Sequence, residues 1–100
     1  MIKQREIIKL IEKNRDIVRS FGVSEITLVG SYAKDEARAD SDIDFIVEFE
    51  VGRGLFDDYI HLLHFLRALL KKDVEIGDKH LIREELREAM IRGKKVEAKI

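Results

Sequence analysis

Apolar residues at Ile7, Leu10, Ile11, Ile17, Val18 and Phe21 draw a stripe down one helical face, with charged residues opposite. The pattern predicts one amphipathic helix covering a sheet, ended by Gly22 in a left-handed conformation. Glu25 to Val29 is short and rich in β-branched and aliphatic residues, which suits a buried strand. From Asp42 to Glu50 the period changes to two: Ile43, Phe45, Val47 and Phe49 point one way and Asp42, Asp44, Glu48 and Glu50 the other. Ile46 interrupts the polar row, so that second face is expected to be partly covered as well. Gly52-Arg53-Gly54 is a loop.

Leu55 to Lys71 reads as a helix with Phe56, Ile60, Leu63, Leu66 and Leu70 on one face. Leu55, Tyr59, Leu62, Phe65 and Leu69 widen the stripe, so this helix is either thoroughly buried or shared with a partner. Lys72 to Gly77 is a third strand, with Val74 and Ile76 on one face and Asp73 and Glu75 on the other. Leu81 to Arg92 predicts a last helix with Ile82, Leu86, Ala89 and Met90 inward, and the tail 94–100 could form a short edge strand. The expected fold is α/β (α+β): one domain, 1–100, with a small mixed sheet of three to four strands and helices on one face.

The bulk numbers narrow the function. A net charge of -1 argues against direct nucleic-acid binding, for which a basic protein is the usual case. With no cysteine there is neither a disulfide framework nor a thiolate metal site. The N-terminal residues lack a signal-peptide core and no stretch has the length of a membrane span, which predicts a cytoplasmic protein with no membrane contact.

The chemistry concentrates where the Glu25–Val29 strand breaks at Gly30-Ser31 and where Asp42-Ile43-Asp44 opens the next strand. Glycine lets a backbone approach a phosphate closely, and the free N–H groups of the following turn favour an anion. The Ser31 hydroxyl can add a hydrogen bond; as a helix N-cap it would start a short helix over Ala33 to Ala37. Residues i and i+2 of a strand lie on one face about 6.5 to 7 Å apart, so Asp42 and Asp44 can converge on a hard cation. All-oxygen ligands suit Mg²⁺, with Mn²⁺ as a substitute, and one or two ions fit the pair. A phosphate cradle beside a carboxylate-held metal points to phosphoryl or nucleotidyl transfer.

Gly30-Ser31, ten residues, then Asp42-Ile43-Asp44 resembles the signature of the DNA polymerase β-like nucleotidyltransferase superfamily. The intervening Tyr32 to Ser41 resembles the minimal nucleotidyltransferase (MNT) branch, which contains MntA-type antitoxins of HEPN/MNT toxin–antitoxin systems. The resemblance spans nearly the whole chain. It implies that Gly30 and Ser31 contact the nucleotide phosphates and that Asp42 and Asp44 are catalytic metal ligands. It also implies a third carboxylate on the next strand, where this chain has Glu75 in place of the more common aspartate, with Asp73 as the fallback. Lys34-Asp35 stands where the branch often has Arg-Gly.

The implied activity is Mg²⁺-dependent transfer of AMP from ATP to a tyrosine hydroxyl of a partner HEPN toxin, the antitoxin half of a type VII toxin–antitoxin system. The implied assembly is a hetero-oligomer or homodimer that completes the nucleotide pocket. Two other readings stand beside it: a binding module that neutralises its toxin by complex formation alone, and nucleotidyl transfer to a small hydroxyl compound. Tyr32 is a candidate for stacking on a base, with local packing as the alternative, and Lys34 and Arg38 are candidates for phosphate contact. His61 and His64 have the spacing of a zinc pair on a helix but no third ligand is evident.

Overall fold

The computed structural model describes residues 1–82, 84 and 92–100. The elements are α1 (Gln4–Lys13), α2 (Arg15–Ser20), β1 (Val23–Val29), a helical turn α3 (Gly30–Ala33), β2 (Ile43–Phe49), α4 (Phe56–Leu70), β3 (Val74–Asp78) and β4 (Val96–Ala98). The strands form one mixed sheet in the order β3-β2-β1-β4. β1 runs antiparallel to both β2 and β4, while β3 is parallel to β2. A parallel neighbour cannot follow by a hairpin, and α4 is the crossover that the β2–β3 pairing requires.

The alternation read along β2 is realised in three dimensions. Ile43, Phe45 and Val47 are buried, as are Ile26 and Leu28 of β1 and Val74 and Ile76 of β3. Against this face pack Ile7 and Ile11 of α1 and Leu62, Leu63, Leu66 and Leu70 of α4, in one continuous core. α1 and α4 touch each other over that face. The opposite face carries Asp44, Glu48 and Glu75. One side of the sheet makes the core and the other is free for chemistry.

Several sequence expectations are corrected. The first helix is two helices, broken at Asn14, whose backbone leaves the helical path at φ -107 and ψ 23 and whose side-chain amide donates to the Leu10 carbonyl at 2.8 Å beside its own N–H at 3.1 Å. The break rotates the stripe, and Ile17 is left exposed. Gly22 does adopt a left-handed backbone, with φ +82. In α4 the stripe is core only from Leu62 onward; Leu55 and Phe56 stand out in solvent at 75% exposure each. β1 starts two residues earlier than expected, at Val23, which pairs with Phe49 beyond a register shift between Val23 and Glu25. The tail does form an edge strand, β4. The expected last helix falls on residues 83 and 85–91, outside the described residues. Among the described residues no helix is long and apolar enough to cross a membrane.

Candidate active site

The sheet register builds the site. Val29, Asp44 and Glu75 are consecutive cross-strand partners, so Asp44 sits between the end of β1 and the Glu75 carboxylate. Gly30 follows Val29 directly. Its φ of +75 lies in the left-handed region, and a Cβ placed there would come 2.6 Å from Asp44 Oδ2. Two independent reasons therefore call for glycine: the backbone turn, and the close approach of a carboxylate. The same approach sets the Gly30-Ser31 turn directly against the carboxylate.

Ser31 is half-buried within α3. It is not the N-cap: the turn begins one residue earlier, Val29 holds the cap position, and no side chain caps it. α3 is also shorter than expected: Lys34 still has a right-handed helical backbone, but Asp35 turns left-handed, with φ +57. A glycine would adopt that left-handed backbone at less cost than an L side chain. Asp35→Gly is therefore expected to raise stability by about 0.5 to 1 kcal/mol in a denaturant melt, and a measured loss would contradict this account.

Tyr32 does not face a ligand. It is 2% exposed and part of the core, so stacking on a base is excluded and local packing accounts for it. Lys34 and Arg38 are exposed. His61 and His64 are exposed on α4, and among the described residues no group of three or more His, Asp or Glu side chains is drawn closely enough to hold a metal on its own.

Asp42 lies one residue before β2, exposed, at the mouth of the site; Asp44 is half-buried and Glu75 exposed. The Asp44 carboxyl is pushed up to about 6, first by burial, then by the negative charges of Glu75 and Asp42, with Glu75 within hydrogen-bonding reach. Glu75 and Asp42 thus both act on Asp44, although among the described residues the three do not close into a cage. This donor set fits a hard divalent cation that keeps several waters and borrows oxygens from a substrate phosphate. Such an ion would be held by Asp42, Asp44 and Glu75, and would offset the repulsion that raises Asp44. Asp73 contributes through its backbone: its carbonyl accepts from the Ile43 N–H at 3.0 Å and so anchors the start of β2. That anchoring role was not legible in the sequence, because it depends on the parallel register.

Residues 7–100 match the family model for the nucleotidyltransferase domain. The chain is 33% identical over 93 residues to the protein adenylyltransferase MntA of Thermococcus cleftensis, covering 92% of this chain and 93% of that one. Its fold is similar to that of a toxin–antitoxin solved with AMP-PNP, with a TM-score of 0.70 and 23% identity over 98% of this chain and 73% of that one. It is also similar to a tri-AMPylated Shewanella oneidensis HEPN toxin in complex with MNT antitoxin, with a TM-score of 0.65 and 20% identity over 92% of this chain and 71% of that one. A family match across nearly all of the chain, a full-length relative, and a Gly-Ser turn set against strand-borne carboxylates agree: this chain belongs to the nucleotidyltransferase family, in its minimal, MntA-type branch.

Proposed function

We propose that this protein is an antitoxin that transfers AMP from ATP to a tyrosine hydroxyl of a HEPN-family toxin. The observation that carries the reading is the register Val29–Asp44–Glu75, which sets the Gly30 turn against a carboxylate pair. The named relatives, a protein adenylyltransferase and a HEPN toxin bound to MNT antitoxin, support the choice of acceptor.

The step needs a nucleophile, a path for its proton and a stabilised leaving group. The Gly30 backbone and the Ser31 hydroxyl hold the nucleotide phosphates by hydrogen bonds to their oxygens. Asp42, Asp44 and Glu75 present negative oxygens toward the α-phosphate. When bound, Mg²⁺ supplies charge neutralisation of the phosphate oxygens and lowers the pKa of the attacking hydroxyl. The acceptor oxygen attacks the α-phosphorus, and its proton passes to a carboxylate of the site, Asp42 and Glu75 being the exposed ones. The bond from the α-phosphorus to the bridging oxygen breaks, and pyrophosphate leaves with that electron pair. The products are an O-adenylylated tyrosine and pyrophosphate.

The test is label transfer from [α-³²P]ATP to the cognate toxin in Mg²⁺, with Asp42→Asn/Asp44→Asn as the control. Transfer that persists in the double variant would remove these carboxylates from the mechanism. A second reading, neutralisation by complex formation alone, is favoured by one observation: no three acidic side chains close on a metal among the described residues. Toxin neutralisation by the double variant, without ATP, would select it.

A further inference from the structure

We propose that Lys72 is the positioning residue of this site, pinning the loop that delivers Asp42 to the strand that carries Glu75. The inference rests on the nucleotidyltransferase reading for its functional meaning, but its physical content is independent of it.

Residues 34–42 connect the Gly30–Ala33 turn to β2, and most of their hydrogen bonds stay within the stretch or reach back only to the turn. The Ser41 N–H donates to the Arg38 carbonyl at 3.0 Å, the Arg38 N–H to Ser41 Oγ at 2.9 Å, and the Glu36 N–H to the Ser31 carbonyl at 2.9 Å. Among the described residues, the one hydrogen bond from this loop to a distant element comes from Lys72. Its Nζ donates to the Ala39 carbonyl at 2.8 Å across 33 positions of sequence. The same Nζ stands 5.7 Å from the centroid of the Tyr32 ring, within cation–π range.

One ammonium thereby touches both halves of the site. Tyr32 follows Gly30-Ser31, Ala39 precedes Asp42, and Lys72 itself lies three residues before Glu75. The backbone supports the arrangement. Lys71 takes a left-handed φ of +54 that ends α4 and turns the chain, and the next residue but one, Asp73, accepts from Ile43. A carboxylate at the edge of a loop is a useful ligand only if the loop is held to within about half an ångström. Lys72 supplies that restraint at Asp42, the site carboxylate that lies outside a strand.

The experiment compares Lys72→Met, Lys72→Gln and Lys72→Arg with wild type in the full chain. Two readouts are used, neither of them catalytic turnover: amide hydrogen exchange over residues 36–43, and nucleotide-free Mn²⁺ binding followed by electron paramagnetic resonance. Lys72→Met keeps the aliphatic stem but loses the donor; its Ser41 and Ile43 amides are expected to exchange faster and its Mn²⁺ affinity to fall about tenfold. Lys72→Arg restores donor and cation and is expected to return both to within about threefold of wild type. Lys72→Gln, with a donor but no charge, is expected between them.

Wild-type exchange in Lys72→Met overturns the proposal. So does a Lys72→Arg variant as impaired as Lys72→Met, because positioning through a carbonyl does not require lysine itself. Failure of the wider reading is a separate result: Mn²⁺ binding in wild type that Asp42→Asn/Asp44→Asn leaves unchanged would remove the metal site, while loop exchange still decides the role of Lys72.

Discussion

Asp44→Asn is expected to abolish adenylyl transfer, by at least about a thousandfold, and at the same time to make the protein more stable. The two effects share one cause. In the folded protein the Asp44 carboxyl is raised to about 6 by burial and by the charges of Glu75 and Asp42. In the unfolded chain it has the ordinary value of about 3.8. Between those values the folded state binds more protons than the unfolded state, so stability falls as pH rises from about 4 through about 6, and the full penalty is present at neutral pH. The whole shift, at about 1.4 kcal/mol per unit, sets an upper limit near 3 kcal/mol. Asp44 is half-exposed, so solvent screening reduces this to about 1 to 2 kcal/mol. Asparagine removes the charge and keeps the shape. A melting-temperature series from pH 4 to 8 should show wild type declining relative to Asp44→Asn, with a gap of roughly 5 to 10 °C at pH 7. Mg²⁺ should narrow the gap by raising wild type alone. Parallel pH profiles for the two proteins would mean that the carboxylate repulsion is not felt in the fold.

Gly30→Ala is expected to lose transfer about a hundredfold and stability by about 1 to 3 kcal/mol. The left-handed backbone costs any L side chain about 1 to 2 kcal/mol. The new methyl would also stand 2.6 Å from Asp44 Oδ2, so the carboxylate must move. A displacement of about 1 Å at a reacting centre accounts for a hundredfold in rate. Gly52→Ala separates the two effects. Gly52 has φ +80 but nothing within 4 Å of its added Cβ. It should lose about 1 kcal/mol or slightly more and keep full activity. Equal losses of activity in both variants would show that strain, not the approach to Asp44, is what Gly30 avoids.

Asp44→Asn would remove strain from the sheet along with activity. Carboxylates crowded on one face of the sheet are a cost in stability. The core absorbs it because the opposite face, with Ile43, Phe45 and Val47 buried, is continuous with α1 and α4.

The site was legible to different depths at different residues. The face of the sheet that Asp44 occupies could be read because a strand's period of two is a strong local signal, whereas Asp42 lies one residue before β2. Gly30-Ser31 could be read because a glycine at the end of an apolar run marks a turn. Ser31 is a good N-cap residue, but the helical turn starts at Gly30, whose positive φ bends the chain before Ser31 is reached. Tyr32 was open because burial of an aromatic next to a site depends on what packs over it, and here the core does. The apolar spacing of the first helix gives no sign of the break, which lies in the Asn14 backbone at φ -107 and ψ 23.

By itself the sequence determined the elements with a clear hydrophobic period: the strand after Asp42, the amphipathic helices and the turn at Gly30. These depend on residues within a few positions of one another. The tertiary structure alone decided which carboxylates meet. Parallel pairing of β3 with β2 sets Glu75 beside Asp44, and antiparallel pairing of β1 sets Gly30 against the same side chain. Register is a property of strands far apart in sequence, set by which face each must bury, and a shift of one residue would have turned Glu75 into the core and Ile76 toward Asp44.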